Sequence, residues 1–167
     1  MDSPHVDAQR SGAGDDPVRH SGLTTGSGGT KTTRDTVSEL LQRFAAGDPG
    51  KISDLYAEQV AWKLDWPPGD YSQTVPWICD RSTRAGVADH FRLIAEHHVA
   101  DRSSATVSAI LVDGDDAVVL GELHNTARRT GRSYISAFAL HLTVEEGLIT
   151  RHHIYEDSLA VMQAFSA

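Results

Sequence analysis

The chain has one cysteine, Cys79, so no internal disulfide can form and no thiolate cage can hold a metal. That usage fits a reducing compartment, and a cytoplasmic location is expected. No apolar run approaches the roughly 18–20 residues of a membrane span, and the N-terminus lacks the apolar stretch of a secretory signal. No membrane partner is therefore expected. Basic residues are in the minority: 15 Lys and Arg against 23 Asp and Glu give a formal net charge of −8. Nucleic acid is disfavoured as a partner, because phosphate binding needs a positive field. Arg128, Arg129 and Arg132 form a local basic cluster that reads as a solvated hairpin tip. Residues 1–33 lack Phe, Tyr and Trp and are rich in Gly, Ser, Thr and Asp. Such a stretch cannot bury enough apolar surface to offset its ordering entropy, so a disordered leader is predicted, followed by a folded domain over 34–167.

Within that domain the periodicities are clear. Thr36-x-x-Glu39 has the spacing of a capping box, and Val37, Leu40, Leu41 and Phe44 recur on one helical face up to a stop at Gly47. Asp48-Pro49 reads as the start of a short second helix with Ile52, Leu55 and Tyr56 on its buried face. A strand is predicted near 59–65, a Pro-broken loop over 66–82, and a third helix near 84–98 with Val87, Phe91, Ile94 and His98 on one face. Asp113-Gly114, Thr130-Gly131 and Glu146-Gly147 punctuate four strands near 104–112, 116–127, 132–144 and 148–156. Asp157 then starts a last helical turn carrying Leu159, Met162 and Phe165. Helices before a long meander predict an α+β domain: a cone-shaped sheet, strongly curved and mixed or antiparallel, wrapped on helices around an apolar pocket.

The Tyr56-Ala57-Glu58 run, the PW…RAGVADHF segment and the GRSY…GLIT…Y-x-D pattern resemble the SnoaL-like and limonene-epoxide-hydrolase branch of the nuclear-transport-factor-two-like superfamily. The resemblance covers about residues 35–165. It implies a homodimer with a deep apolar pocket in each subunit. The activities it implies run from polyketide cyclase, ketosteroid isomerase and dehydratase to epoxide hydrolase and non-catalytic binding, and fold alone does not choose among them. By alignment, the family's water-holding pair on the first strand falls at Trp62 and Leu64. Its Arg–Asp pair falls at Leu123 and Asn125, and its essential carboxylate on the last strand falls at Ile154. The polar set is thus largely replaced by apolar groups, with Asn125 as the remnant.

What remains able to do chemistry is sparse. Strand alternation places Thr150, His152, Ile154 and Glu156 on one face. His152 is then the candidate acid or base, with a structural histidine as the competing reading. Asn125 and Ser136 could polarise a carbonyl. Asp157 reads mainly as a helix cap and secondarily as a base. A one-residue change of register would bring Glu122 and His124 inward instead of Asn125. Phe138 on the third meander strand and Phe91 on the third helix supply an apolar wall. Trp62, Trp66, Trp77 and Tyr71 crowd residues 62–77 and suit a flat hydrophobic ligand, although Trp62 could equally plug a core. His90, His97 and His98 lack ligand spacing, so neither a metal nor another cofactor is expected. The reading is an enzyme of natural-product biosynthesis that cyclises, isomerises or dehydrates a hydrophobic polyketide- or terpenoid-like substrate without a cofactor. The alternatives are a non-catalytic binding protein and an epoxide hydrolase with relocated residues.

Overall fold

The computed structural model describes residues 31–166. The elements are α1 (Thr33–Ala46), α2 (Pro49–Ser53), β1 (Tyr56–Leu64), α3 (Arg84–His97), a 3-10 turn (Ala100–Arg102), β2 (Ser104–Asp113), β3 (Asp116–Thr126), β4 (Ser133–Glu145), β5 (Leu148–Glu156) and α4 (Ser158–Phe165). The predicted leader lies outside the described residues except for its last three. Of these, Thr32 caps α1 and Thr33 opens it.

The capping box is therefore formed by Thr32 and Asp35, not by Thr36 and Glu39. Thr32 Oγ1 accepts from the Asp35 N–H at 3.2 Å, and Asp35 accepts from the Thr32 N–H at 3.3 Å. Thr36 is buried one turn inside the helix, where its hydroxyl donates to the Gly147 carbonyl. Both pairs share a Thr and an acid at i, i+3, so spacing alone could not separate them. The other end follows expectation. Gly47 ends α1 at φ 70°, and Asp48 caps α2 ahead of Pro49. Tyr56 begins β1 rather than ending α2.

The sheet order is β1-β5-β4-β3-β2, with β1 parallel to β5 and every other pair antiparallel. It is an open sheet. Alternation gives it two faces. On the helix side stand Ala117, Val119, Leu140, Leu142 and Ile149, all buried with α1 to α3 in one core. α4 and the 66–82 loop make a second core from Val75, Trp77, Ala127, Val161 and Phe165. Curvature between the two depends on Gly121. A Cβ there would lie 2.1 Å from the Thr106 carbonyl oxygen and 2.9 Å from the Phe138 ring. The adjacent register shift in β2 between Val107 and Ala109 brings that carbonyl in.

The arginines at the β3–β4 turn are exposed, as expected of a solvated tip, and they also tie down two helix ends. Arg128 donates to the Glu96 and His98 carbonyls at the end of α3. Arg129 donates to the Phe165 carbonyl, and Arg132 donates to those of Gln163 and Ser166. Guanidinium groups satisfy the carbonyls that helix ends leave free, and their charge complements the negative end of the helix dipole.

Candidate functional site

The inner face of β5 carries His152, Ile154 and Glu156. Ile154 pairs with Leu64 on β1 and Leu140 on β4, and Glu156 pairs with Phe138. Leu64, Leu123, Phe138, Ile154 and Phe91 point to the helix side yet all keep partial accessibility. The strip between the two cores is therefore not closed by packing.

Glu156 is the chemically notable group on that strip. It is half-buried, and this desolvation raises its carboxyl above the usual range. A bond from Trp66 Nε1 to Oε1, at 2.8 Å, partly offsets the shift, while Asp157 adds to it. Trp66 meets Tyr71 edge-on at 4.9 Å, and the Tyr71 hydroxyl ties back to the Pro67 carbonyl at 2.9 Å. The Pro-rich loop thus lays a braced aromatic pair over the carboxylate.

Beside it runs a polar chain. His98 Nδ1 is 2.8 Å from the Ile94 carbonyl and can only donate there, which leaves Nε2 as an acceptor. The Tyr134 hydroxyl, 2.7 Å away, donates to Nε2, and Asn125 Nδ2 donates to the Tyr134 oxygen at 3.4 Å. Burial raises the Tyr134 phenol and lowers His98 below its usual value. Asn125 is on the inner face with Leu123, in phase with buried Ala117 and Val119. A depression of about 630 Å³ reaches Asn125 and Tyr134 from the β3–β4 end, and its lining stops short of Glu156 and His152. Tyr134 and His98 escaped the sequence reading as site residues. The signal available was the register: Tyr134 stands directly opposite Asn125.

His152 points inward but is closely walled. It is 3 % exposed, stacks on Trp62 at 4.0 Å and 7°, and bonds the Tyr56 hydroxyl through Nδ1 at 2.9 Å. Trp62 meets His90 edge-on at 4.8 Å, and Phe91 lies edge-on to His152 at 6.4 Å. Burial holds the His152 imidazole well below its usual pKa, assisted by His90 and His153. It therefore stays neutral, which contradicts a proton-carrying role near neutral pH. His90, whose Nδ1 meets the Trp77 carbonyl at 3.2 Å, is pushed by burial and then Arg81 to about 3.

The structure overturns the roles expected of Ser136 and Trp77, and it removes the secondary ones offered for Asp157, Glu122 and His124. Ser136 is 0 % exposed, accepts from the Asp157 N–H at 3.1 Å and donates to the Ala137 carbonyl, so it has no open side to polarise a substrate. Asp157 is an exposed cap whose Oδ1 accepts from the Ala160 N–H at 3.1 Å. Glu122 and His124 are on the outer face, 3.6 Å apart and half in solvent, because the β3 register turns Asn125 inward instead. Trp77 is 4 % exposed and packs on Phe165 at 4.9 Å within the second core. A hydrolase built on Glu122, His124 and Asp157 thus has no shared site. Among the described residues no group of three His, Cys, Asp or Glu is placed to hold a metal, and no helix is long and apolar enough to cross a membrane.

The SnoaL-like domain profile matches residues 37–152. An NTF2-like protein from Burkholderia thailandensis superposes with a TM-score of 0.69 at 22% identity, covering 82% of this chain and 99% of that one. A Bacillus subtilis protein provisionally called an isomerase gives 0.66 at 16% identity, covering 81% and 96%. TerC, crystallised with polyporic acid, gives 0.66 at 16%, covering 81% and 98%. No curated protein matches the sequence. At these identities the likeness is one of fold, and the profile match fixes the family: the chain belongs to the SnoaL-like domain family, with the open α+β cone of NTF2-like proteins.

Proposed function

We propose that this protein moves a proton on a hydrophobic small molecule without a cofactor, as in isomerisation, cyclisation or dehydration, and that Glu156 carries the proton. The observation behind this reading is a carboxylate on the concave face, desolvated and raised, held by one indole N–H and bordered by apolar side chains. A carboxyl shifted toward neutrality can both take a proton from carbon and return it. Ile154 occupies the position where the family resemblance places the acid, and Glu156 stands two residues further along the same face. The carboxylate would draw a proton from a carbon next to a carbonyl and deliver it elsewhere on the bound molecule. The apolar walls and the Trp66–Tyr71 pair would exclude water and fix the substrate's shape. A polyketide- or terpenoid-like skeleton suits those walls. The provisional isomerase and the polyporic acid complex among the structural neighbours are compatible with this substrate size and chemistry.

The test is conversion of a bicyclic β,γ-unsaturated ketone to its conjugated isomer, followed by the growth of enone absorbance. Glu156→Gln should slow it by about 100-fold or more. Equal rates for variant and wild type would remove Glu156 from the mechanism. Binding without catalysis is the second reading, favoured by the isoleucine in the family's acid position and by the structural duties of Ser136 and Asp157. Under that reading the ketone binds and never isomerises.

The outer face of the sheet is the proposed contact with a second copy. Leu111, Ile135 and Tyr155 are 59%, 55% and 45% exposed there, with Ala137 and Ala139 between them. Light scattering should give twice the chain mass, and Ile135→Asp should return it to that of one chain. A wild-type mass of one chain would overturn this.

A further inference from the structure

His152 is too deprived of solvent to shuttle protons, but its surroundings give it a definite polarity. Tyr56 is 0 % exposed, and the one partner of its hydroxyl among the described residues is His152 Nδ1. An O–H buried without an acceptor is strongly disfavoured. The phenol therefore donates and Nδ1 accepts, which puts the imidazole proton on Nε2. The parallel stack on Trp62 fixes the plane of the ring. Nε2 has no partner among the described residues. Among the described residues, Trp62 Nε1 and His153 Nε2 are sealed from solvent without a hydrogen-bond partner. His152 itself is 3 % exposed, so its ring is not wholly sealed. His152 and Glu156 share the inner face of one strand, with Ile154 between them. At about 3.3 Å per residue their Cα atoms are about 13 Å apart.

We propose that His152 is a fixed hydrogen-bond donor at the closed end of the cone, its Nε2–H set by the Tyr56 hydroxyl, and that it selects ligands bearing a carbonyl oxygen remote from the carbon that Glu156 deprotonates. This inference rests on the proposed proton-transfer site and names its substrate class: an elongated, apolar molecule with an acceptor oxygen at its inner end. Tyr56 is then a positioning residue, acting through the tautomer it imposes. A neutral imidazole suits this duty, since a donor that never ionises holds a carbonyl without exchanging protons with it.

Two measurements test it on the full chain. Long-range ¹H–¹⁵N spectra should show His152 as the neutral Nε2–H tautomer at about pH 7, and Tyr56→Phe should shift it toward Nδ1–H. A predominant Nδ1–H form in the unmutated protein would overturn the assignment. Binding of 1-tetralone and of tetralin, two bicycles that differ by one carbonyl, should differ by about tenfold or more in favour of the ketone. Tryptophan fluorescence reads both titrations. The preference should shrink in Tyr56→Phe and His152→Phe and persist in Glu156→Gln. Equal binding of the two probes sinks the donor role and leaves the Glu156 reading standing. Failure of both to bind sinks the hollow itself, and with it both readings. A ketone preference that persists in His152→Phe also refutes the inference.

Discussion

Acid should destabilise this protein well before its carboxylates titrate. His90 ordinarily ionises near 6.5 and is held at about 3 in the fold, chiefly by burial. Its folded pKa is depressed, so its contribution is intact above about 6.5 and is lost as pH falls toward 3. At about pH 5 the unfolded chain protonates this histidine while the folded one does not. The gap of about 1.5 pH units is worth about 2 kcal/mol. His152 is also pushed well down by burial, so it acts in the same direction. His90 alone then removes about 2 kcal/mol between about pH 7.5 and 5, a sizeable share of the roughly 5–15 kcal/mol that domains typically have. Glu156 works in the opposite sense. Its raised carboxyl favours the protonated fold, so acid relieves its burial and Glu156→Gln should make the loss steeper. The exposed carboxylates that are lowered, such as Asp35 and Asp116, come into play only below about pH 4. Urea unfolding at the two pH values measures the effect, and His90→Gln should recover about 2 kcal/mol of it. A midpoint that stays constant, or the same acid loss in His90→Gln, would refute the reasoning.

Two further substitutions probe the frame around the site. Gly121→Ala drives a Cβ into the Thr106 carbonyl, which is backbone and cannot step aside; a loss of about 3 kcal/mol or more is expected by thermal or urea unfolding, and a wild-type midpoint would show that the sheet's bend does not need this residue. Asp157→Ala should cost about 1 kcal/mol through the lost cap while ketone isomerisation stays near wild type; a collapse of turnover with little loss of stability would restore Asp157 as a base.

The sequence carried the fold because its punctuation is explicit. Gly47, Asp48-Pro49, Gly114, Gly131 and Gly147 each sit where the backbone turns, with positive φ at the four glycines. Strand alternation also separated His152, Ile154 and Glu156 from His153 and Tyr155, because side-chain parity is local. What alternation cannot express is closure. Whether an inward residue meets open space or another side chain depends on elements distant in sequence. Trp62 came from β1 to cover His152, and the Asp157 N–H came from the end of β5 to occupy Ser136. Glu156 was hard to rank for the same reason, since its partner Trp66 is ninety residues earlier. The arginine clamps went unseen because charged runs usually face water, and nothing local reveals that two helix ends converge on one turn.

β1 rests on β5 alone within the sheet. During synthesis that first strand is complete at Leu64, but its neighbour begins only at Leu148. Until the ribosome has supplied β5, β1 has no ladder to join, and its apolar residues must wait against helices alone. Translation that stalls before β5 would therefore leave a sticky fragment with an unpaired edge, which makes this strand the place where chaperones should bind the nascent protein.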